Sequence, residues 1–335
     1  MKKERNNYID LIKGVSIFLV VLGHHKTELT TYIYSFHMPL FFFISGIFHS
    51  NYSSYKEFFI KKVKSLLFPY FTFAFSLFSF WLIIGRKFGE SLIRNTPIPI
   101  AFNGIFLGTE INNISSMDWG TPIWFLLCLF LVTNLYYFIS KLEIKKIILY
   151  NVILGVIGYY LSIHTYKNIF SIWHFDAALV AINFYTLGNL LKNKLLNEKI
   201  EKISSFILII IFLLSIIGNK INGRVDMNSK YYSNIILFYL NAILGIAFWT
   251  IFIKKLKIKN NFLEYIGKNT SIIMAYHQRA FTFIKLILII ILKLNYPENN
   301  LTLNTIFSII QILLCIPIIF IFNNYLPFLI GKKQK

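Results

Sequence analysis

Long apolar blocks separated by short polar segments dominate the hydrophobic pattern of this chain. Most blocks hold about 16–20 predominantly apolar residues, close to the length that a helix needs to cross a bilayer core about 30 Å thick. Backbone polar groups inside a bilayer need internal partners, which a helix supplies. The pattern predicts an all-α, polytopic membrane helical bundle of about ten transmembrane helices, at residues 9–25, 31–49, 65–84, 122–140, 147–163, 173–191, 203–219, 232–253, 269–292 and 303–326.

Three of these blocks, the first, the second and the ninth, are more polar than the others. Spans interrupted by polar groups usually pack inside a bundle or line a cavity. We therefore expect these three helices to be inside the bundle. The longest connection, residues 85–121, contains an apolar stretch at 102–107, which predicts a segment that folds back onto the bundle.

The composition supports a membrane-embedded chain. Only 14% of the 335 residues are charged and 56% are hydrophobic, whereas about 25% of the residues in a soluble domain are charged. We expect a single membrane-embedded domain over residues 1–335, with no appended soluble domain. The two cysteines lie in apolar blocks, so neither a disulfide nor a metal site is expected.

The formal net charge of +20 has two readings. In a soluble protein it would suggest nucleic acid as a partner, but here the lysines occupy short loops without interleaved aromatic residues. With the N-terminus inside, twenty-two Lys and Arg fall in cytoplasmic segments and nine in outer ones. The positive-inside rule therefore predicts that both termini are cytoplasmic, and no nucleic acid partner is expected.

The first block carries a stripe of ionisable residues. At about 100° per residue, Lys13 and His24 lie about 20° apart around the helix, and Asp10 lies about 40° from His24. One face thus holds a carboxylate, an ammonium and an imidazole, over about 21 Å of axis at 1.5 Å per residue. Because ionisable groups inside a membrane are costly and rarely idle, this stripe predicts a functional site.

More polar residues are expected at the outer level of the bundle. Pro39 suits the first turn of the second helix, which predicts that His37 lies at its outer mouth, close to His24 and His25. Asp118 and Trp124 mark the outer end of the fourth block, while His174 and Asp176 open the sixth. These four residues are candidates for substrate binding, although a tryptophan at this level can also be an interfacial anchor.

Several segments resemble acyltransferase family three of integral membrane proteins, and within it the fucose 4-O-acetylase-like branch. The resemblance is strongest in residues 8–14 (YIDLIKG), 20–24 (VVLGH) and 34–46 (YSFHMPLFFFISG). It continues in residues 61–70 (KKVKSLLFPY), with weaker similarity at 122–126 (PIWFL) and 265–269 (YIGKN).

The resemblance implies acyl transfer from cytoplasmic acetyl-CoA to a carbohydrate hydroxyl, with His24 as the key residue. It also implies donor contacts at Lys13, Lys61, Lys62 and Lys64. Two departures concern these contacts. Many members have arginine where this chain has Lys13, and the basic motif is typically Arg-x-x-Arg where this chain has Lys61 and Lys64. Lysine binds phosphate as a point charge, without the bidentate geometry of arginine.

These observations favour a membrane O-acetyltransferase in a bacterial cytoplasmic membrane, acting on capsule, lipopolysaccharide or another envelope glycan. His24 is expected to be a general base or an acyl relay, with His37 and Asp10 as further catalytic candidates. His37 or Asp176 would orient His24 or hold the acceptor. Membrane lipids are expected partners, and a homo-oligomer is compatible with the sequence. The alternatives are a transporter or flippase for a lipid-linked glycan and a non-enzymatic sensor.

Overall fold

A computed structural model describes residues 6–50, 52–88, 95–109, 116–164, 169–197, 200–288, 293 and 299–332. Helices account for most of these residues, and no β-strand occurs within these ranges. The prediction of an all-α fold is therefore confirmed for the described chain.

The helices follow the predicted blocks closely. They are α1 Asn7–Gly23, α2 Thr30–Ile47, α3 Tyr55–Gly85, α4 Ile98–Leu107, α5 Trp124–Ile139, α6 Ile144–His164, α7 Phe175–Asn197, α8 Ser205–Asn222, α9 Ile235–Leu256, α10 Asn261–Lys268, α11 Thr270–Leu286 and α12 Leu301–Asn324. Short 3-10 segments, Asp118–Ile123 and Ile169–His174, lead into α5 and α7. Two π-helical turns, Val63–Leu67 and Trp81–Gly85, interrupt the regular winding of α3.

Each of the ten predicted spans coincides with a helix over its described residues, and residues 289–292 of the ninth span lie outside the described ranges. Within the described ranges, six helical segments are long and apolar enough to cross a membrane: α3, α5 with its 3-10 lead, α6, α8, α9 and α12. The others, α1, α2, α7 and α11, are shorter or more polar. The structure therefore supports a multi-pass membrane protein, while the count of ten spans and the sides of the termini stay predictions.

The chain divides into two compact units. Unit 1 contains Met1–Phe48, Leu187–Met227 and Tyr232–Phe320, and unit 2 contains His49–Thr186, Asn228–Tyr231 and Ile321–Lys335. Each unit is described by itself below. That residues 1–335 form one membrane-embedded domain stays a prediction.

In unit 1, α1 and α10 approach each other backbone to backbone. A side chain at Gly14 would meet the carbonyl oxygen of Leu263, and one at Gly267 would meet that of Asp10. Small residues permit such close helix crossings in membranes, where packing rather than the hydrophobic effect holds helices together. As predicted, the polar helices are inside: most residues of α1, α2 and α11 are not exposed, whereas many residues of the apolar α8 are.

In unit 2, the apolar stretch of the long connection forms α4 and packs on α3. The hydroxyl of Tyr70 donates to the carbonyl of Ile105 at 2.9 Å, and Gly104 lies directly against the backbone of Ser116. This confirms the predicted return of the segment. The flanking residues 89–94 and 110–115 of the connection lie outside the described ranges.

Candidate active site

His24 caps the carboxyl end of α1 in unit 1. The helix ends at Gly23, and the backbone N–H of His24 donates to the carbonyl of Val20 at 3.2 Å. The chain then turns into α2, where the hydroxyl of Thr30 donates to the carbonyl of His25 at 2.6 Å. The turn is thus tied to both helices, and the His24 ring is left half-buried.

Two side chains from other helices meet one nitrogen of the His24 ring. The hydroxyl of Tyr34, on α2, lies 3.4 Å from Nδ1 of His24. The amide nitrogen of Gln278, on α11, lies 3.3 Å from the same atom. Groups from three helices therefore meet at Nδ1, and they orient the ring from this side.

A second imidazole, His277, packs against His24. Their ring centroids are 5.0 Å apart and the planes are tilted by 41°. Nδ1 of His277 donates to the carbonyls of Ile273 and Met274 at 3.0 and 2.9 Å, which makes Nε2 the unprotonated nitrogen of the neutral ring. Nε2 is buried and has no hydrogen-bond partner among the described residues.

His37 lies next to these side chains, and together they are called the His24 cluster: His24, Tyr34, His37, His277 and Gln278. The position of His37 differs from the predicted one. Its ring packs on Tyr34 with centroids 4.8 Å apart, and its Nδ1 donates to the carbonyl of Ile33 at 2.8 Å. The expectation that Pro39 opens the second helix is wrong, because α2 begins at Thr30 and Pro39 is internal. Neighbouring groups in a membrane bundle make a proline inside a helix tolerable.

His25 has different neighbours from His24, although the two are adjacent. It is buried, and its Nε2 lies 2.6 Å from the side-chain amide of Gln311 on α12. Its ring packs edge-on against Phe281 on α11, with centroids 4.7 Å apart. These contacts make His25 a packing residue that anchors the turn.

An ion pair from the segment after α8 borders the cluster. Arg224 and Asp226 are 3.7 Å apart, and the guanidinium of Arg224 lies 5.9 Å from the centre of the Tyr34 ring. The carboxylate of Asp226 interacts electrostatically with Tyr34 and with His24. From the sequence, Arg224 is one of the charges in the outer loops, and no sequence pattern gives Asp226, Tyr34 or Gln278 a role in the site.

Asp10 and Lys13 lie nearer the beginning of α1. Asp10 is buried, with 3% of its surface exposed, and its backbone carbonyl faces Gly267 at the crossing with α10. Lys13 is half-buried and places its ammonium 4.4 Å from the centre of the Phe48 ring. Since α1 is an uninterrupted helix, Lys13 is about 16 Å and Asp10 about 21 Å from His24 along its axis.

The basic motif of α3 is in unit 2. The ammonium of Lys61 donates to the hydroxyl of Tyr52, and that of Lys62 lies 5.3 Å from the centre of the Phe58 ring. Lys61 and Lys64 are exposed. The three lysines lie within four residues of one another at the π-helical turn. Their role as donor contacts stays a prediction.

Unit 2 also contains a small polar cavity of about 140 Å³. Three of the four predicted substrate residues line it: Asp118, Trp124 and His174. Trp124 and His174 pack with ring centroids 4.9 Å apart, and Asp118 accepts a hydrogen bond of 3.0 Å from the hydroxyl of Ser116. The structure therefore brings together residues that lie more than fifty positions apart in the chain.

The fourth residue, Asp176, is buried next to an unexpected lysine. Its carboxylate lies 3.9 Å from the ammonium of Lys230, and both side chains are almost completely inaccessible. The backbone N–H of Ala177 donates to Asp176 at 2.8 Å, and the hydroxyl of Ser171 donates at 3.4 Å. Lys230 lines the cavity, whereas Asp176 supports it from below the surface.

Comparison with known proteins gives one match. A family model described as an acyltransferase domain matches residues 6–323. No curated protein and no solved structure matches the chain. The matched range includes both the His24 cluster and the cavity lined by His174.

Proposed function

Because this chain belongs to acyltransferase family three, we propose that it is a membrane O-acetyltransferase that moves an acetyl group from acetyl-CoA to a carbohydrate hydroxyl. Family membership makes the chain an acyltransferase, and its apolar helices are those of a multi-pass membrane protein. The observation that carries the finer proposal is the His24 ring, whose Nδ1 contacts Tyr34 and Gln278.

In the proposed reaction His24 is the general base. Its Nε2 takes the proton of the acceptor hydroxyl while that oxygen bonds to the acetyl carbonyl carbon. The carbon–sulfur bond of the thioester then breaks, and the CoA thiolate leaves with the proton from the imidazolium. Imidazole suits this task because its ordinary pKa is near working pH.

Gln278 suits a ring that gains and loses a proton. A side-chain amide presents either its NH₂ group or its oxygen after a half-turn. When Nε2 is the base, Nδ1 carries a proton, and the oxygen of Gln278 accepts it. When Nδ1 is unprotonated, the NH₂ group donates to it. Gln278 thus remains a partner of His24 in both tautomers.

The same ring also permits an acyl relay. In that route Nε2 of His24 bonds to the acetyl carbon as the carbon–sulfur bond breaks and CoA leaves as the thiolate. The oxygen of the acceptor hydroxyl then displaces the imidazole from that carbon, and the hydroxyl proton goes to the thiolate. His277 packs against the His24 ring, and His37 packs on Tyr34, a partner of Nδ1 of His24. Asp10 lies about 21 Å from His24 along α1. A catalytic role of Asp10 would therefore need other groups to connect the two residues.

The donor would bind through its phosphates at the cytoplasmic side. Lys13 is the contact proposed on α1, and its distance of about 16 Å from His24 suits an extended pantetheine arm. Lys61, Lys62 and Lys64 remain the other proposed phosphate contacts. Both termini are placed in the cytoplasm in this proposal, in accordance with the distribution of Lys and Arg.

The proposed acceptor is a glycan of the bacterial envelope, such as capsule or lipopolysaccharide, and the proposed location is the cytoplasmic membrane. The fucose 4-O-acetylase-like branch is part of the same proposal. Membrane lipids are further proposed partners, supported by an apolar groove of about 720 Å³ in unit 1 that includes Phe212, Phe248 and Phe252. A homo-oligomer is compatible with this activity.

The proposal is tested with the protein in lipid nanodiscs, labelled acetyl-CoA and a panel of envelope glycans. We expect transfer of label to a glycan, its loss in His24→Ala, and its retention in His164→Ala. His164 is a matched control because it is an exposed histidine at the end of α6. Transfer that survives His24→Ala would overturn the role of His24. Glycan translocation without acetylation would instead favour the transporter.

A further inference from the structure

The polar cavity in unit 2 has the size of a small ligand group. At roughly 30 Å³ per water molecule, its volume of about 140 Å³ has room for several waters or for part of one sugar ring. Trp124 supplies an aromatic wall, and Asp118, Thr121 and Ser229 supply polar groups. An aromatic face with a few convergent polar groups is typical of binding sites for small polar molecules.

His174 has a lone pair without a partner in the wall of this cavity. Its Nε2 lies 3.1 Å from the carbonyl oxygen of Gly108, and a carbonyl can only accept, so Nε2 carries the proton. Nδ1 is therefore an acceptor. It is buried, and no hydrogen-bond donor among the described residues reaches it. A ligand that donates a hydrogen bond would satisfy Nδ1.

The charges around the cavity favour a ligand without net charge. Lys230 is the cation in the wall, and Asp176 lies 3.9 Å from its ammonium, with side chains that are 3% and 0% exposed. Asp118 adds a second carboxylate at the rim. An anion such as phosphate would meet Asp118 at the rim and a lysine that is already paired with Asp176, whereas a hydroxyl can donate to Asp118 and to Nδ1 of His174.

The backbone of the cavity wall is strained on two sides. Trp173, His174 and Lys230 have φ values of 53°, 56° and 58°, in the left-handed region that residues with a Cβ rarely adopt. The indole of Trp173 donates to the carbonyl of Phe106 at 2.7 Å, which holds this conformation in place. Such strain persists where the surrounding structure imposes it, and it clusters at ligand sites.

From these observations we infer that the cavity is a carbohydrate-binding site, and that it takes an uncharged pyranose whose hydroxyl donates to Nδ1 of His174 and whose ring packs on Trp124. This assignment goes beyond the proposed function, which rests on His24. The binding itself does not require the reaction.

The test measures binding without any acyl donor. Saturation-transfer NMR with the protein in nanodiscs would follow methyl pyranosides of glucose, galactose, fucose and N-acetylglucosamine, with inorganic phosphate as an anionic competitor. We expect at least one pyranoside to bind and phosphate not to displace it. Failure of every pyranoside, or displacement by phosphate, would overturn the assignment. A failure of acyl transfer would leave this result unchanged.

Two substitutions separate ligand binding from a structural role. His174→Gln extends its amide to the position of Nε2, which keeps the Gly108 contact and removes the acceptor at Nδ1. His174→Asn has its amide at the position of Nδ1, which keeps an acceptor in the cavity. We expect about a tenfold loss of pyranoside affinity in His174→Gln, the effect of one hydrogen bond, and a smaller loss in His174→Asn.

The opposite order, or equal affinities in the two variants, would overturn the role of Nδ1. His164→Gln is the matched control and should bind like the wild type, since His164 is exposed and does not line the cavity. Should His174→Gln fail to fold in a thermal melt, Asp118→Asn provides a second test at an exposed position. It should weaken pyranoside binding several-fold, and unchanged affinity would contradict the assignment.

Discussion

His24 and His174 are both held by one ring nitrogen, but by partners of different kinds. Nδ1 of His24 meets two side chains, the hydroxyl of Tyr34 and the amide of Gln278. Nε2 of His174 meets a backbone carbonyl, that of Gly108. His24 is half-buried, whereas His174 is 3% exposed.

The partner determines what each ring can do. A hydroxyl and an amide can each donate or accept, so they tolerate both tautomers of His24 and a change in its protonation. A backbone carbonyl only accepts, so it fixes the proton of His174 on Nε2 and leaves Nδ1 as a permanent acceptor. The first arrangement suits proton transfer, and the second suits the binding of a hydroxyl group.

The largest effect is expected when His24 is replaced by asparagine, a replacement that His174 should tolerate. His24→Asn keeps a polar atom near Nδ1 for Gln278 and Tyr34 but removes Nε2. Loss of a general base typically costs about 10²–10⁴ in rate, so acetyl transfer should fall by that factor in a labelled acetyl-CoA assay. His174→Asn should retain pyranoside binding. Comparable effects of the two substitutions, each measured on its own readout, would remove the distinction between the rings.

Lys13→Met should have the second largest effect, and only on the donor. A charge-assisted hydrogen bond is worth about 1.5–3 kcal/mol, so the KM for acetyl-CoA should rise about tenfold to a hundredfold. The kcat should change much less, because His24 lies about 16 Å away. Lys13→Arg should restore the KM, since arginine keeps the charge. A variant in which only kcat falls would argue that Lys13 supports α1 rather than the donor.

The sequence predicted the helices well because their signal is local. Block length and hydropathy sufficed to find the ten long helices of the described residues, and polarity alone identified α1, α2 and α11 as inside helices. The crossing of α1 and α10 could not be predicted, because nothing at Gly14 says which helix it meets. The prediction that Pro39 opens α2 was wrong for a related reason. A proline marks the start of a helix only where the neighbouring groups do not allow a proline inside the helix.

For the candidate site, the sequence identified ionisable groups but not their neutral or distant partners. His24 could be recognised as an imidazole in an apolar block. Asp118, Trp124 and His174 could be recognised as candidates expected at the same outer level of the bundle. Gln278 carries no charge and lies on a helix far along the chain, so only its position beside His277 could have marked it. Lys230 was counted as a loop charge, since its burial beside Asp176 depends on the folded chain.

Gln278→Leu should reduce the rate of acetyl transfer about tenfold or less, the effect of one hydrogen bond of about 0.5–1.5 kcal/mol. Leucine keeps the volume but leaves Tyr34 as the remaining partner of Nδ1. As a positioning residue, Gln278 should affect kcat and leave the KM of both substrates near the wild-type values. Gln278→Glu should recover much of the rate, because a carboxylate accepts from Nδ1. A rise in KM without a fall in kcat would show that Gln278 acts on a substrate instead.

The smallest effects are expected when alanine replaces the glycines that set the spacing of the helices around each ring. In Gly267→Ala the new methyl meets the backbone of Asp10 and displaces α1, and in Gly158→Ala it lies 2.7 Å from Cβ of Leu179 and displaces α7. Overpacking of this kind costs about 1–3 kcal/mol of stability, so the melting temperature of both variants should fall by a few degrees. Because small shifts of a base reduce rate, Gly267→Ala should lower the kcat of acetyl transfer by about twofold to fivefold. Gly158→Ala should leave that kcat unchanged and weaken pyranoside binding, since α7 follows directly on His174. If both variants lower the kcat equally, the two rings do not have separate roles.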